Sequence, residues 1–146
     1  MTLPHLTFAA PPLLDFAAVD ENDAVRRTAD LLAIGSGITN FGGFVDAVID
    51  RQRINPPLLG NGVAIPHART VLASEIVCVA ARCASPIPFG PEAEPVRLIF
   101  LLGIPPHRIS EYLELMSVLV KRLRDPEVLN GLLTAETPEE FTRLLA

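Results

Sequence analysis

"VRLIFLLGI", residues 96–104, carries a single charge, Arg97, in an otherwise apolar run closed by Pro105-Pro106. A near-continuous apolar segment bounded by prolines reads as a strand buried on both faces. Such a strand needs a covering layer on each side, and the chain offers helical patterns both before and after it. That order implies an α/β layered domain. The 146 residues suit one domain, with hydrophobic residues at 49% and no Trp, so the core must be aliphatic.

Moving upstream, "SEIVCVAARCA", residues 74–84, reads as a second strand, bounded by Ser85-Pro86. "PFGPEAEP", residues 88–95, reads as a turn-rich loop between the two. Cys78 and Cys83 are separated by an odd number of positions, so a strand directs them to opposite faces. That spacing argues against a disulfide. No His or Cys partner stands at ligand spacing, so no metal is expected, and both read as small buried apolar residues.

Earlier still, "LLDFAAV", residues 13–19, reads as a short strand or edge piece after an irregular, Pro-rich segment over 1–12. Asp20 or Asn22 can cap a helix running to about Ala33, with Gly35 as its stop. "GSGITN", residues 35–40, reads as a loop. Phe41, Phe44, Val45, Val48 and Ile49 follow helical spacing, which predicts a second helix over 41–53. Downstream, Ile109, Leu113, Met116, Val120 and Leu123 predict a long helix over 108–123. "PEVLNGLLTA" and "TPEEFTRLLA" predict two short terminal helices, the second opened by the capping box Thr137-Pro138-Glu139-Glu140.

The net charge of −5, without a Lys/Arg stripe, argues against nucleic-acid binding. No apolar run is long enough to span a membrane, and the first residues lack a basic, uninterrupted signal segment. A cytoplasmic location is expected.

Between the second helix and the strands lies "GNGVAIPHART", residues 60–70. Gly60 and Gly62 can adopt positive φ and leave amides open to an anion. "GVAI" reads as a short strand, and Pro66 stiffens its exit, so that His67 leaves a strand end on a rigid backbone. Spacing alone is a weak signal, since a histidine after proline is more often a surface or internally bonded residue. Neither an HExxH nor a GxSxG pattern surrounds it.

"GNGVAIPHAR" resembles the active-site signature of type-2 enzyme IIA domains of the bacterial sugar phosphotransferase system, the mannitol/fructose class that includes the nitrogen-regulatory branch. The resemblance covers nearly the whole chain, including "AVIDRQ", "VRLIFLLGIPP" and "EYLELMSVLVKRLRDPEVLNGLLTAETPEEF". It implies a single α/β domain with a mixed β-sheet sandwiched between helices. It also implies that His67 takes a phosphoryl group from the phosphocarrier HPr and passes it to a IIB domain, with no cofactor. The alternative on the same fold is a regulatory module that docks to a target protein. The resemblance further implies that Arg51 steadies the phosphoryl oxygens, with Gly60, Asn61 and Gly62 offering amides to them.

The chain departs from the family pattern in three places. Arg51-Gln52 stands where Arg-Glu is common, and Pro56-Pro57-Leu58 stands where hydroxyl and amide donors lead into the glycines. Tyr112 stands where a second histidine often begins the long helix. A phenol donates one hydrogen bond but carries no positive charge. His107 is another candidate in the loop after the strand, and Arg69 and Arg108 flank the two candidate regions with positive potential to add; the ordinary reading of all three is solvated loop residues, and His5 reads as incidental.

Overall fold

The computed structural model describes residues 3–33 and 37–145. Strands β1 (Thr7–Phe8), β2 (Leu13–Phe16), β3 (Val63–Ala64), β4 (His67–Arg69), β5 (Val77–Phe89) and β6 (Glu94–Ile104) form one mixed sheet. The antiparallel hairpin β5–β6 is its centre. β1 and β2 pair in turn along the outer edge of β5, and β3 and β4 along the outer edge of β6, all four in parallel. Helices α1 (Glu21–Ala29) and α2 (Phe41–Ile54) cover one face. Helices α3 (Ile109–Leu123), α4 (Pro126–Thr134) and α5 (Pro138–Arg143) cover the other.

The alternation of β5 and β6 builds two cores. Val77, Val79, Ala81 and Cys83 join Ile99 and Leu101 beneath α1 and α2. Cys78, Ala80, Leu98, Phe100 and Leu102 lie beneath α3–α5. The two cysteines are thus buried on opposite faces and free, as their spacing implies. Burial pushes the Cys83 thiol up to about 11 and raises that of Cys78 as well.

Several boundaries differ from expectation. β5 runs through Ser85-Pro86 to Phe89, and only Gly90–Ala93 remain as the turn. Proline is tolerated there because the pairing with β6 shifts register between Arg82 and Ile87. Asp20, not Asn22, caps α1 by accepting from the Asp23 amide at 2.8 Å. That helix tightens into a 3-10 turn over Asp30–Ala33. Its expected stop, Gly35, lies outside the described residues. Asn40 caps α2 from a left-handed conformation (φ 48°), accepting from Gly43 N. The capping box at Thr137 is half formed. Thr137 Oγ1 accepts from Glu140 N, but the Glu140 carboxylate reaches Glu136 N instead of closing on Thr137.

Helix α3 keeps most of its expected inward face, with Leu123 buried and Met116 and Val120 packed against the core, but Leu115 and Leu119 take the central place and Leu113 turns outward. Leu115, Leu119 and Leu123 are buried, whereas Leu113 is 61% exposed. The apolar stripe of the helix is broad, and contact with the sheet centres it on Leu115 and Leu119.

Two features set the position of α2 and β2. Gly103 permits α2 to approach β6 closely, since a Cβ there would stand 3.0 Å from both Ile38 Cδ1 and Phe44 Cε1. On the other sheet edge, Arg82 is buried to 5% exposure and forks onto Asp15 at 2.8 and 2.9 Å. Its remaining Nη1 donates to the Leu132 carbonyl at 2.9 Å, so one guanidinium ties β2, β5 and α4 together.

Candidate functional site

β4 is an edge strand, held only on one side, where His67, Ala68 and Arg69 pair with Leu102, Gly103 and Ile104. Pro66, which cannot donate, accepts from Leu102 N at 3.0 Å and separates β4 from β3. His67 therefore lies inside a strand rather than beyond its end. Alternation sends Ala68 into the core under α2 and leaves His67 and Arg69 on the same face.

The His67 imidazole is half-buried, and its Nδ1 lies 3.0 Å from the Ile65 carbonyl oxygen. A carbonyl can only accept, so Nδ1 carries the hydrogen and Nε2 is left with a free lone pair. Burial is the largest influence on this ring and lowers its pKa below the ordinary histidine value. The Ile65 hydrogen bond opposes that shift, and the nearby Arg51 charge adds to it. The result is a neutral nucleophilic imidazole in one defined tautomer.

Three elements meet at this ring. The last turn of α2 brings Arg51, with Ala47 one turn before it on the same helix face. Arg51 Nη1 donates to the Asn55 carbonyl at 2.7 Å, capping the helix end and holding the guanidinium beside the cleft. The first turn of α3 brings Tyr112, whose ring centroid is 5.9 Å from that of His67, with 39° between planes. Burial is the main cause of a raised Tyr112 pKa, against which Arg51 acts, so the phenol keeps its proton. Together with Arg69, Ile104 and Ile109 these residues enclose a cleft of about 340 Å³. Among the described residues, no carboxylate lines it. A larger groove of about 650 Å³, between Pro11-Pro12 and α5, contains no histidine or other nucleophile suited to this chemistry.

The Gly60-Asn61-Gly62 turn does not reach the imidazole. Both glycines do take positive φ, 85° and 84°. The Gly62 carbonyl accepts from Arg97 N and Leu98 N, and Asn61 Nδ2 donates to the Leu123 carbonyl at 3.0 Å. Leu98 is four residues of β6 from Leu102, the partner of His67, which is roughly 13 Å of strand. Leu123 closes α3 at the end opposite Tyr112. The expectation that this turn cradles a phosphate on His67 is therefore corrected: its strain serves to tie the sheet to the far end of α3.

Pro56-Pro57-Leu58 also lies away from the cleft. Pro57 O accepts from Ile65 N at 2.9 Å, and Leu58 bridges to Ala64. That departure from the family pattern leaves the site untouched. His107 stands exposed in a 3-10 turn before α3, and His5 pairs with Glu114 at 3.0 Å; neither lines the cleft. Arg69 lines the cleft as an exposed residue, on β4 rather than in a loop. The available signal was its position two residues after His67 on a strand.

The family model "Phosphoenolpyruvate-dependent sugar phosphotransferase system, EIIA 2" matches residues 13–146. The 2-O-alpha-mannosyl-D-glycerate-specific EIIABC component of Escherichia coli is 30% identical over 150 residues, covering 99% of this chain and 22% of that protein. The chain thus spans about a fifth of the length of that relative. The fructose-specific EIIA component of Haloferax volcanii is 27% identical over 139 residues, covering 91% of this chain and 90% of its own. Among solved structures, the nitrogen regulatory protein IIA-Ntr of Neisseria meningitidis superposes with a TM-score of 0.83 over 97% of both chains, at 24% identity. No helix among the described residues is long and apolar enough to cross a membrane. With the match running over β2 through α5 and the cleft built on the signature histidine, the chain belongs to the EIIA type-2 family of the phosphoenolpyruvate-dependent sugar phosphotransferase system.

Proposed function

We propose that this protein is a phosphocarrier that accepts a phosphoryl group on His67 Nε2 from an HPr-type phosphocarrier and passes it to a IIB domain. The observation that carries this is the Nδ1–H hydrogen bond to the Ile65 carbonyl, which leaves Nε2 as the nucleophile of a cleft with Arg51 and no carboxylate. The lone pair of Nε2 attacks phosphorus, and the bond from phosphorus to the donor's imidazole nitrogen breaks with its electron pair returning to that nitrogen. Both nitrogens of His67 are then substituted, and the Ile65 carbonyl supports the positive charge of the ring. Onward transfer reverses the sequence, with the acceptor's nucleophile forming the new bond to phosphorus. Arg51 meets the charge on the equatorial oxygens in both directions.

A second reading follows from Tyr112. A phenol offers the phosphoryl group less stabilisation than an imidazolium, which suits a slowly exchanged mark that controls docking to a target protein. Incubation with enzyme I, HPr and phosphoenolpyruvate, followed by a IIB domain, separates the two. The carrier reading expects acid-labile, alkali-stable label on the wild type, rapid onward transfer, and none in His67→Ala. Label that persists in the presence of the IIB domain supports the regulatory reading, and label surviving in His67→Ala overturns both.

A further inference from the structure

Resting on the phosphocarrier reading of His67, we propose that Arg69 is a second phosphoryl-binding residue of this site, supplying from β4 the positive charge that Tyr112 cannot supply from α3. His67 and Arg69 are alternate residues of one short strand, about 6.6–6.8 Å apart along it, and face the same way. Both line the same cleft. The backbone beneath Arg69 is fixed by its pairing with Ile104, and the next residue, Thr70, donates from its amide to the Ile104 carbonyl at 2.9 Å.

Charge in the cleft is unbalanced. The groups that face it are Arg51 from α2, His67 and Arg69 from β4, and Tyr112 from α3, with Ala47, Ile104 and Ile109 between them. Two guanidinium groups therefore converge on a cleft without a carboxylate, in a chain whose net charge is −5. Arg27 pairs with Asp23, Arg53 with Asp50, and Arg82 with Asp15. Arg51 is partly committed, through Nη1, to the Asn55 carbonyl. Arg69 makes no hydrogen bond or ion pair among the described residues, so its whole donor fork is available.

The two arginines differ in what they address. The charge of Arg51 lowers the pKa of the His67 ring, while Arg69 is exposed and lines the cleft from β4. Being exposed, Arg69 belongs to the solvent-side rim of the cleft. A dianionic phosphoryl group on Nε2 extends the site outward toward that rim. A planar guanidinium can take two of its oxygens at once. The charge that a protonated histidine on α3 would bring is thus relocated to the strand that carries the nucleophile.

The test compares wild type, Arg69→Gln, Arg69→Lys and Arg26→Gln, an exposed charge-loss control on α1. With HPr as donor, Arg69→Gln is expected to slow labelling of His67 about ten- to a hundred-fold, the range for one charge-assisted contact to a transferring group. Arg69→Lys should recover part of the rate, and Arg26→Gln should match wild type. Phosphorus NMR of the phosphorylated proteins supplies a readout that simple misfolding does not mimic. The second ionisation of the phosphoryl group should move to higher pH in Arg69→Gln, because a neighbouring cation is lost. Wild-type rates with an unchanged phosphorus titration in Arg69→Gln overturn the assignment. If the wild type takes no label, the His67 reading fails, and inorganic phosphate titrated into the unphosphorylated protein decides the anion site alone. Selective shifts of the Arg69 side-chain N–H signals, lost in Arg69→Gln, then support it; their absence overturns it.

Discussion

His67 and Tyr112 reach the same cleft from opposite layers, one from an edge strand and one from the first turn of α3, with their ring centroids 5.9 Å apart. The contact is between an imidazole with a free Nε2 and a protonated phenol whose hydroxyl makes no hydrogen bond among the described residues. That hydroxyl is free to donate to a phosphoryl oxygen.

If it does so, Tyr112→Phe should weaken the phosphorylated state by roughly 1 kcal/mol, the value of one modest hydrogen bond. If the ring only packs, the substitution should cost little. Tyr112→His should speed formation of phospho-His67, or stabilise it, and add a further titrating group near neutrality to the pH dependence. Phosphorylation equilibria measured against HPr across pH 6 to about 8, where a histidine titrates, distinguish these outcomes.

A pH prediction follows from His67. Its folded pKa lies below the ordinary value of about 6.5 that the unfolded chain retains, chiefly through burial. As pH falls through about 6.5, the unfolded chain takes up a proton that the folded ring refuses, so stability falls. The loss ends once pH drops below the folded pKa. Urea midpoints should therefore decline over that window in wild type and decline less in His67→Asn. The same shift keeps Nε2 nucleophilic into mildly acidic solution.

Arg51→Ala removes both a cation beside His67 and the cap on Asn55 O. Transfer should slow by roughly ten- to a thousand-fold, while stability changes by no more than about 1 kcal/mol, because the capping contact is exposed. Rapid-quench labelling combined with urea denaturation measures both. A variant with normal kinetics leaves Arg51 only its capping contact.

Gln52 accounts for the Arg-Gln pair found where Arg-Glu is common. It is 2% exposed and donates from Nε2 to Glu21 Oε2 at 3.0 Å, while Glu21 Oε1 accepts from Gly90 N at 2.7 Å. The bridge joins α1, the end of α2 and the β5–β6 turn. Gln52→Glu would face one carboxylate with another and remove the donor. It should destabilise the fold by about 1–3 kcal/mol at neutral pH and by less in acid, where the pair can share a proton. Restoring a donor with Glu21→Gln in that background should recover much of the loss in a denaturant titration.

The layered α/β fold was legible because its signals are local. Val96–Ile104 is too apolar for a half-exposed strand, and Phe44, Val45, Val48 and Ile49 mark one face of a helix at its own period. The odd spacing of Cys78 and Cys83 placed them on opposite faces for the same reason. His67 was singled out by its signature, and the Ile65 carbonyl two residues before it sets the tautomer. Composition could not show which residues would surround that imidazole. Gly60 and Asn61 are near His67 in sequence, yet the sheet carries them to the far end of α3, because an extended chain separates its residues by more than 3 Å at every step. Arg51 and Tyr112 are distant in sequence, yet α2 and α3 close over the open edge of β4 and bring both to the ring. Local spacing determined the elements and singled out His67; the packing of helices against the two faces decided what charge and which hydroxyl its imidazole meets.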